Sequence, residues 1–181
     1  MTIADERRRR ASRAVAAGFT LRLPEVADAA ELGSVHVQVW REAYPGIASP
    51  DYLDALDPQK RADGWERILA ADPSQRSVTW IALDSAGSIV GFVSSAVPRD
   101  EGAPVEHELW ALNVLARAHG TGAADLLIDR AIGDRPAYLC VADGNHRAIA
   151  FYRRHGFDLD GVRQGDEETG MTELRMIRAG K

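Results

Sequence analysis

The sequence predicts an α/β fold built on a mixed sheet, and three observations predict it. Seven β-rich runs are interleaved with stretches whose apolar residues recur every three or four positions, the signature of strands and helices sharing one core. Two neighbouring β-rich runs, Val78–Leu83 and Ile89–Val97, are joined by Asp84-Ser85-Ala86-Gly87, turn chemistry that makes an antiparallel hairpin. The apolar run Leu109–Leu115 enters a turn carrying Gly120 and Gly122, and that turn opens the helical pattern Leu126–Ile132.

Taken in order, residues 1–18 are rich in Arg and Ala without an apolar stripe and are expected to form a frayed or helical extension outside the core, its Arg7–Arg10 run a solvated face. Phe19, Leu21 and Leu23 alternate with polar residues in a first strand that Pro24 stops. A helix follows from Glu25, with Val26, Ala29, Ala30, Gly33, Val37, Trp40 and Tyr44 at helical spacing, and Tyr44-Pro45-Gly46 ends it. Ser49-Pro50 and Asp57-Pro58 are helix-start pairs, so 51–56 and 59–70 are expected as two short helices. After the hairpin and the polar loop Pro98–Pro104, Val105–Val114 is the next strand. Beyond the Leu126–Ile132 helix come a strand at Ala137–Ala142, a helix at Asn145–Arg154 closed by Gly156, and strands at Phe157–Leu159 and Met171–Ile177.

Composition narrows the function. The 181 residues, 45% hydrophobic and 27% charged, have the size and usage of one globular domain, here residues 19–178. No apolar run approaches the ~20 residues of a membrane span. The Arg7–Arg10 run is followed only by Ala14-Val15-Ala16-Ala17, too short for a signal-peptide core, so a cytoplasmic protein is expected. A lone cysteine, Cys140, rules out an internal disulfide, and the absence of a Cys/His cluster gives no reason to expect a metal. A net charge of −5 argues against nucleic acid as a partner and suits cationic amines.

The glycine turn is the first chemical signal. Gly120 and Gly122 allow positive φ and a close backbone approach, and the free N–H groups of the helix that follows make the turn an anion site, most naturally for phosphate. It is neither a P-loop, lacking Lys and Ser/Thr after its last glycine, nor the dinucleotide fingerprint, since Asp125 stands where that pattern needs Gly. As His119-x-x-Gly122-x-Ala124 it resembles the pyrophosphate loop Gln/Arg-x-x-Gly-x-Gly/Ala of the GCN5-related N-acetyltransferases (GNAT), departing from it by His at the first position. The second half is more specific. Asn145, Ala148, Phe151, Tyr152, Gly156 and Phe157 meet every position of that family's Asn-x-x-Ala-x-x-Phe/Leu-Tyr-x-x-x-Gly-Phe at its spacing.

The resemblance implies a largely antiparallel central sheet of about seven strands flanked by helices. The strands equivalent to Val105–Val114 and Ala137–Ala142 would splay to admit the pantetheine arm of acetyl-CoA, the acyl donor. Backbone groups of Leu112, Asn113 and Val114 would pair with that arm as an added strand does. His119, Gly120, Thr121, Gly122, Ala123, Ala124 and Asp125 would hold the pyrophosphate, with Asn145 and Tyr152 completing the cofactor site. The family builds its acceptor pocket in the segment corresponding to Val39–Leu56, which here holds Trp40, Tyr44 and Tyr52 beside Glu42, Asp51, Asp54 and Asp57, aromatic walls and carboxylates suited to an ammonium group. Alternatively, Trp40 and Tyr44 are core and the acids decorate a helix surface.

The chemistry is attack of a neutral amine on a thioester. An alkyl amine of pKa near ~10 is protonated at neutral pH, so a base must take its proton. Side chains alternate along a strand, which puts Glu106, Glu108, Trp110, Leu112 and Val114 on one face and makes Glu108 the candidate base or acceptor-binding group, with a structural carboxylate as the alternative. Its place relative to Leu112–Val114 also matches the glutamate base of histone-type family members. Tyr152 is the candidate acid that protonates the departing thiolate. Cys140 is expected to be a buried strand residue rather than a nucleophile. The expected activity is acetyl transfer to a primary amine of a small molecule. A protein acetyltransferase, a non-catalytic acyl-CoA-binding module and a homodimer all remain open.

Overall fold

The structure, a computed structural model, describes residues 3–72, 77–99 and 102–179. Residues 1 and 2 of the N-terminal extension, the side chains of Arg7 and Arg8, and positions 100 and 101 of the Pro98–Pro104 loop lie outside the described set. The chain runs α1 (Ile3–Ala16), β1 (Thr20–Arg22), α2 (Ala29–Ala43), α3 (Pro50–Ala55), α4 (Pro58–Ala70), β2 (Val78–Leu83), β3 (Ile89–Ala96), β4 (Glu108–Val114), α5 (Ala123–Ile132), β5 (Ala137–Ala142), α6 (His146–Arg154), β6 (Asp158–Asp166) and β7 (Met171–Arg178). The seven strands form one sheet in the order β1-β2-β3-β4-β5-β7-β6, antiparallel throughout except between β4 and β5.

The short helices start as their residues dictate. The Ser49 hydroxyl accepts from Tyr52 N–H at 3.4 Å with Pro50 next in line, and the Asp57 carboxylate accepts from Gln59 N–H at 2.8 Å ahead of Pro58. Two layers cover the sheet. One face packs Leu127, Ile128 and Ile132 of α5 and Ile149 of α6 against Val93, Leu139 and Met176. The other buries Leu32, Val35 and Val39 of α2 and Trp65 and Leu69 of α4 against Ile81, Ile89 and Phe92. Gly33 lets α2 and α4 touch backbone to backbone, since a Cβ there would lie 2.5 Å from Ala62 N and from Pro58 O.

Three elements depart from the sequence-based expectations. The N-terminal segment is helical, as allowed, but it is not outside the core: α1 packs on α5 and Ala14 is completely buried. β6 continues to Asp166 rather than stopping at Leu159, as an edge strand that pairs with β7 on one side and shows exposed residues along nearly its whole length. β4 begins at Glu108 rather than Val105 and carries a bulge: Ser94 faces Ala111 and Ser95 faces Leu109, which leaves Trp110 without a partner.

That bulge shifts the phase of every side chain before it. Leu109, Leu112 and Val114 lie with the α5 layer, whereas Ala111 packs with the α2/α4 layer, and Asn113 sits opposite Phe92 of that same layer. Glu108, on the far side of the bulge, therefore shares the face of Ala111 and Asn113. Strict alternation had placed it with Leu112 and Val114, and that expectation is corrected.

Candidate active site

β4 and β5 are joined only at their start, where Glu108 is opposite Tyr138 and Tyr138 N–H donates to His107 O at 3.0 Å. Beyond that pair the strands diverge around a cavity of about 530 Å³, lined by Leu109–Val114 on one side and Cys140–Ala142 on the other. Leu115 N–H bonds back to Val90 O on β3 at 2.9 Å, so by alternation Asn113 also turns its backbone groups to β3, while Leu112 and Val114 turn theirs into the gap. Of the three residues expected to pair with a bound arm, Leu112 and Val114 offer backbone groups. One of these, Val114 C=O, already accepts from His119 Nε2 at 2.9 Å.

At the far end of the cavity lies the glycine turn. Gly120 and Gly122 have φ of 75° and 94°, and the Thr121 hydroxyl ties the turn down by donating to Ala118 O at 2.7 Å. The N–H groups of Gly120, Thr121 and Gly122 donate to no acceptor among the described residues, and Ala123 and Ala124 open α5 behind them. His119 lines the cavity and braces the turn: its Nδ1 accepts from Arg147 Nη1 at 2.9 Å, which makes Nε2–H the donor to Val114 O. Arg147 of α6, which the sequence did not single out, thus brings a cation to the turn, and Arg154 of the same helix also lines the cavity.

Two residues expected at the phosphate line the cavity and also meet other elements. Gly122 serves α1, because a Cβ there would lie 2.6 Å from Arg10 O and 3.2 Å from the Ala14 Cβ. The buried Asp125 carboxylate accepts from His155 Nε2 at 3.0 Å and lies 3.8 Å from Arg10 Nη1, so it locks α5 to α6 and α1. Asn145 caps α6 through its side-chain oxygen, which accepts from Ala148 N–H at 3.1 Å.

The other end of the cavity is aromatic. Trp40 stacks between Tyr44 and Tyr52, with ring centroids 4.6 and 5.3 Å away. Tyr152 reaches the same space, and its hydroxyl makes no hydrogen bond among the described residues. Burial, helped by the nearby Tyr44, raises the Tyr152 pKa well above the usual phenol range, so the group stays protonated. Glu42 and Asp57, expected beside an ammonium group, are occupied elsewhere, capping the 116–118 turn at 2.7 Å and α4 respectively, and neither they nor Asp51 and Asp54 line the cavity.

Glu108 does not line the cavity either. It is 2% exposed and accepts from Arg99 N–H at 3.0 Å, from the Arg99 guanidinium and from the Tyr138 hydroxyl at 2.9 Å. Burial pushes its pKa up, but those hydrogen bonds and the adjacent Arg99 charge outweigh it and hold the carboxyl below its ordinary range. Such a carboxylate is a poor proton acceptor. Among the carboxylates that line the cavity, Asp125, Asp166, Glu168 and Glu173, the one whose pKa is raised is Glu173 of β7, opposite Ala142: burial together with the charges of Asp166 and Glu108 raises it against the pull of Arg99. Its signal was in the sequence as the alternation of Met171–Arg178, but reading it required knowing that β7 lies beside β5.

A profile of the Acetyltransferase (GNAT) family matches residues 37–157, two thirds of the sequence and the whole stretch from the aromatic wall to the end of α6. The chain belongs to the GNAT acetyltransferase family. It is 27% identical over 173 residues to the uncharacterized N-acetyltransferase YuaI of Bacillus subtilis (strain 168), a match taking in 88% of this chain and 96% of that one. It is 27% identical over 146 residues to the probable N-acetyltransferase Rv2775 of Mycobacterium tuberculosis (strain ATCC 25618 / H37Rv), covering 78% and 80% of the two chains. In fold this GNAT member is similar to the PaiA N-acetyltransferase of Thermoplasma acidophilum, solved with coenzyme A, at TM-score 0.67 and 16% identity over 87% of this chain and 98% of that one. A phosphinothricin acetyltransferase from Sinorhizobium meliloti, solved with AcCoA, aligns at TM-score 0.64 and 19% identity over 88% and 87% of the two chains. No helix among the described residues is long and apolar enough to cross a membrane, and no group of three or more His, Cys, Asp or Glu is placed to hold a metal.

Proposed function

We propose that the protein transfers the acetyl group of acetyl-CoA to a primary amine of a small molecule by direct attack. The observation that carries this reading is the cavity itself, which joins a strand edge and a phosphate-type turn at one end to an aromatic recess with one raised-pKa carboxylate at the other. The residues present fit the donor. Leu112 and Val114 offer backbone groups to an extended arm, and the unpaired N–H groups of Gly120, Thr121 and Gly122, the first turn of α5 and Arg147 offer an anion site.

Acetyl-CoA supplies an activated thioester and a thiolate leaving group. The chain's own residues handle the protons. Glu173 takes the ammonium proton, a task its raised pKa suits better than that of the ion-paired Glu108. Trp40, Tyr44 and Tyr52 surround the amine and limit its hydration. Tyr152 keeps its proton until sulfur departs and then donates it; counted from the ammonium, nitrogen gives up two protons for each amide formed, one carried to solvent through Glu173 and one that returns to Tyr152 and so balances the proton given to sulfur.

The test is a panel of small amines with acetyl-CoA, watching free thiol release. Turnover on one or more small amines is expected. Turnover only with peptide amines would replace the small-molecule acceptor by a protein, and acetyl-CoA binding without thiol release for any amine would make the protein a binding module.

A further inference from the structure

The acceptor cavity has a neighbour. A second recess of about 690 Å³ lies beside it between α4 and the sheet, and the two share His36, Arg61, Trp110 and Ala111 as lining. Trp65, Ile68 and Phe92 give the second recess an apolar lining, while Lys60, Arg61 and Arg67 of α4 bring only positive charge to it. Arg61 stands at the junction, half-buried, with Nη2 donating to the Tyr52 hydroxyl at 2.8 Å and no carboxylate paired with it among the described residues.

His36 stands beside it and does not supply the missing anion. Its ring is wedged against Trp40, Trp65 and Phe92, with centroids 6.2, 6.4 and 5.4 Å away. Burial and the Arg61 charge lower its pKa to about 4, leaving it neutral at physiological pH with hydrogen-bonding capacity to spare. Among the described residues no carboxylate lines the second recess: Glu173, Asp166, Glu168 and Asp125 line the first cavity only. The first cavity is mixed in charge, with Arg147 and Arg154 lining it beside those carboxylates, while the junction itself presents a guanidinium and a neutral imidazole.

We propose that the acceptor carries a carboxylate as well as its amine, with Arg61 holding the carboxylate at the junction while the amine faces Glu173. This rests on reading the aromatic cavity as the acceptor site and narrows the acceptor class to amino-acid-like amines with an apolar body. A guanidinium that is paired with no carboxylate among the described residues, sits among aromatic rings and keeps donors to spare is suited to a carboxylate, because charge-assisted hydrogen bonds strengthen as water is excluded.

Matched pairs test it: phenylalanine against phenethylamine, and methionine against 3-(methylthio)propylamine. In the wild type, kcat/KM should favour the carboxylated member about 10- to 10²-fold, the scale of a charge-assisted hydrogen bond. Arg61→Met should bring that ratio to within about threefold, mainly through KM, and Arg61→Lys should restore part of it. Calorimetry of the same pairs with the CoA-loaded protein, after circular dichroism has shown each variant folded, reads the subsite without turnover. An Arg61-dependent preference in binding with no acetylation would keep the subsite and overturn the transferase reading. A wild type that binds both members equally, prefers the uncharged one or binds neither overturns the subsite, as does an Arg61→Met variant that weakens both alike.

Discussion

The two ends of the cavity are made of different material. At the glycine turn the surface offered to a ligand is mostly peptide backbone, the N–H groups of 120–122 and the first turn of α5, with the Arg147 guanidinium beside it. At the acceptor end it is side chain, drawn from α2, α3, α4, α6 and β7 as Trp40, Tyr44, Tyr52, Arg61, Tyr152 and Glu173. A backbone site asks of its sequence only small residues and the right φ, so one turn suits a donor common to many enzymes. A side-chain site can be rewritten residue by residue without disturbing the turn, and acceptor choice belongs there.

If the ends are independent in this way, damage to one should leave the other's constants intact, and the largest effect should come from charge at the turn. Ala124→Glu places a carboxylate in the first turn of α5, where the helix dipole welcomes it and Tm should hold, yet beside the anion site. Acetyl-CoA affinity should fall about 10³-fold by calorimetry. Undiminished affinity would move the phosphate site elsewhere. This position isolates the effect better than Gly122, where any side chain also strikes Arg10 of α1.

Next in size is Tyr152→Phe, which should lower kcat about 10²-fold and leave the acetyl-CoA dissociation constant unaltered if the hydroxyl, as proposed, acts on the leaving sulfur. A kcat equal to wild type would return Tyr152 to the core. Smaller still is the contrast between two glutamates. Glu173→Gln should depress kcat about tenfold, and most at low pH where free amine is scarce. Glu108→Gln should instead lower stability by about 1–3 kcal/mol in urea unfolding, because it weakens the buried pair with Arg99. The Glu108 pKa is depressed on folding, so that contribution is present above the ordinary carboxylate pKa and disappears as pH falls through the lowered value. A large kcat loss in Glu108→Gln with normal stability would reverse the two assignments.

The smallest effect expected is a pH dependence at His36. Its pKa falls on folding from 6.5 to about 4, so the folded state gains stability above pH 6.5 and loses it as acid forces a proton onto the buried ring. Between pH 7 and pH 5.5 the loss should be about 1 kcal/mol. His36→Leu should flatten thermal unfolding over that interval, and an equally steep variant would assign the acid sensitivity to another group.

The same division explains what the sequence could reveal. Asn145, Ala148, Tyr152 and Gly156 are fixed by one helix and its ends, so local spacing carries them, and the pattern of seven strands follows from local periodicity. Glu108 was misplaced because a single unpaired residue, Trp110, reverses the alternation, and nothing in Glu-Leu-Trp-Ala-Leu marks the bulge. β6 was cut short because Asp158–Asp166 is an edge strand with almost no buried side chain and hence no apolar rhythm. Asp125 and Glu173 draw their roles from residues 30 or more positions away, as in the 3.0 Å contact of Asp125 with His155, and Arg61 draws its role from Tyr52 and His36 on two other helices, information that periodicity does not hold.

The single pairing of Glu108 with Tyr138 has a mechanical consequence. Across that seam the sheet is two ribbons, β1 to β4 and β5-β7-β6, sharing one rung of a ladder where neighbouring seams have six. An extended ligand bonded along Leu112 and Val114 would act as the missing rungs, so the donor is also a splint. Stiffness across the seam becomes a property of occupancy, and the two ribbons should flex against each other least when the enzyme is charged for reaction.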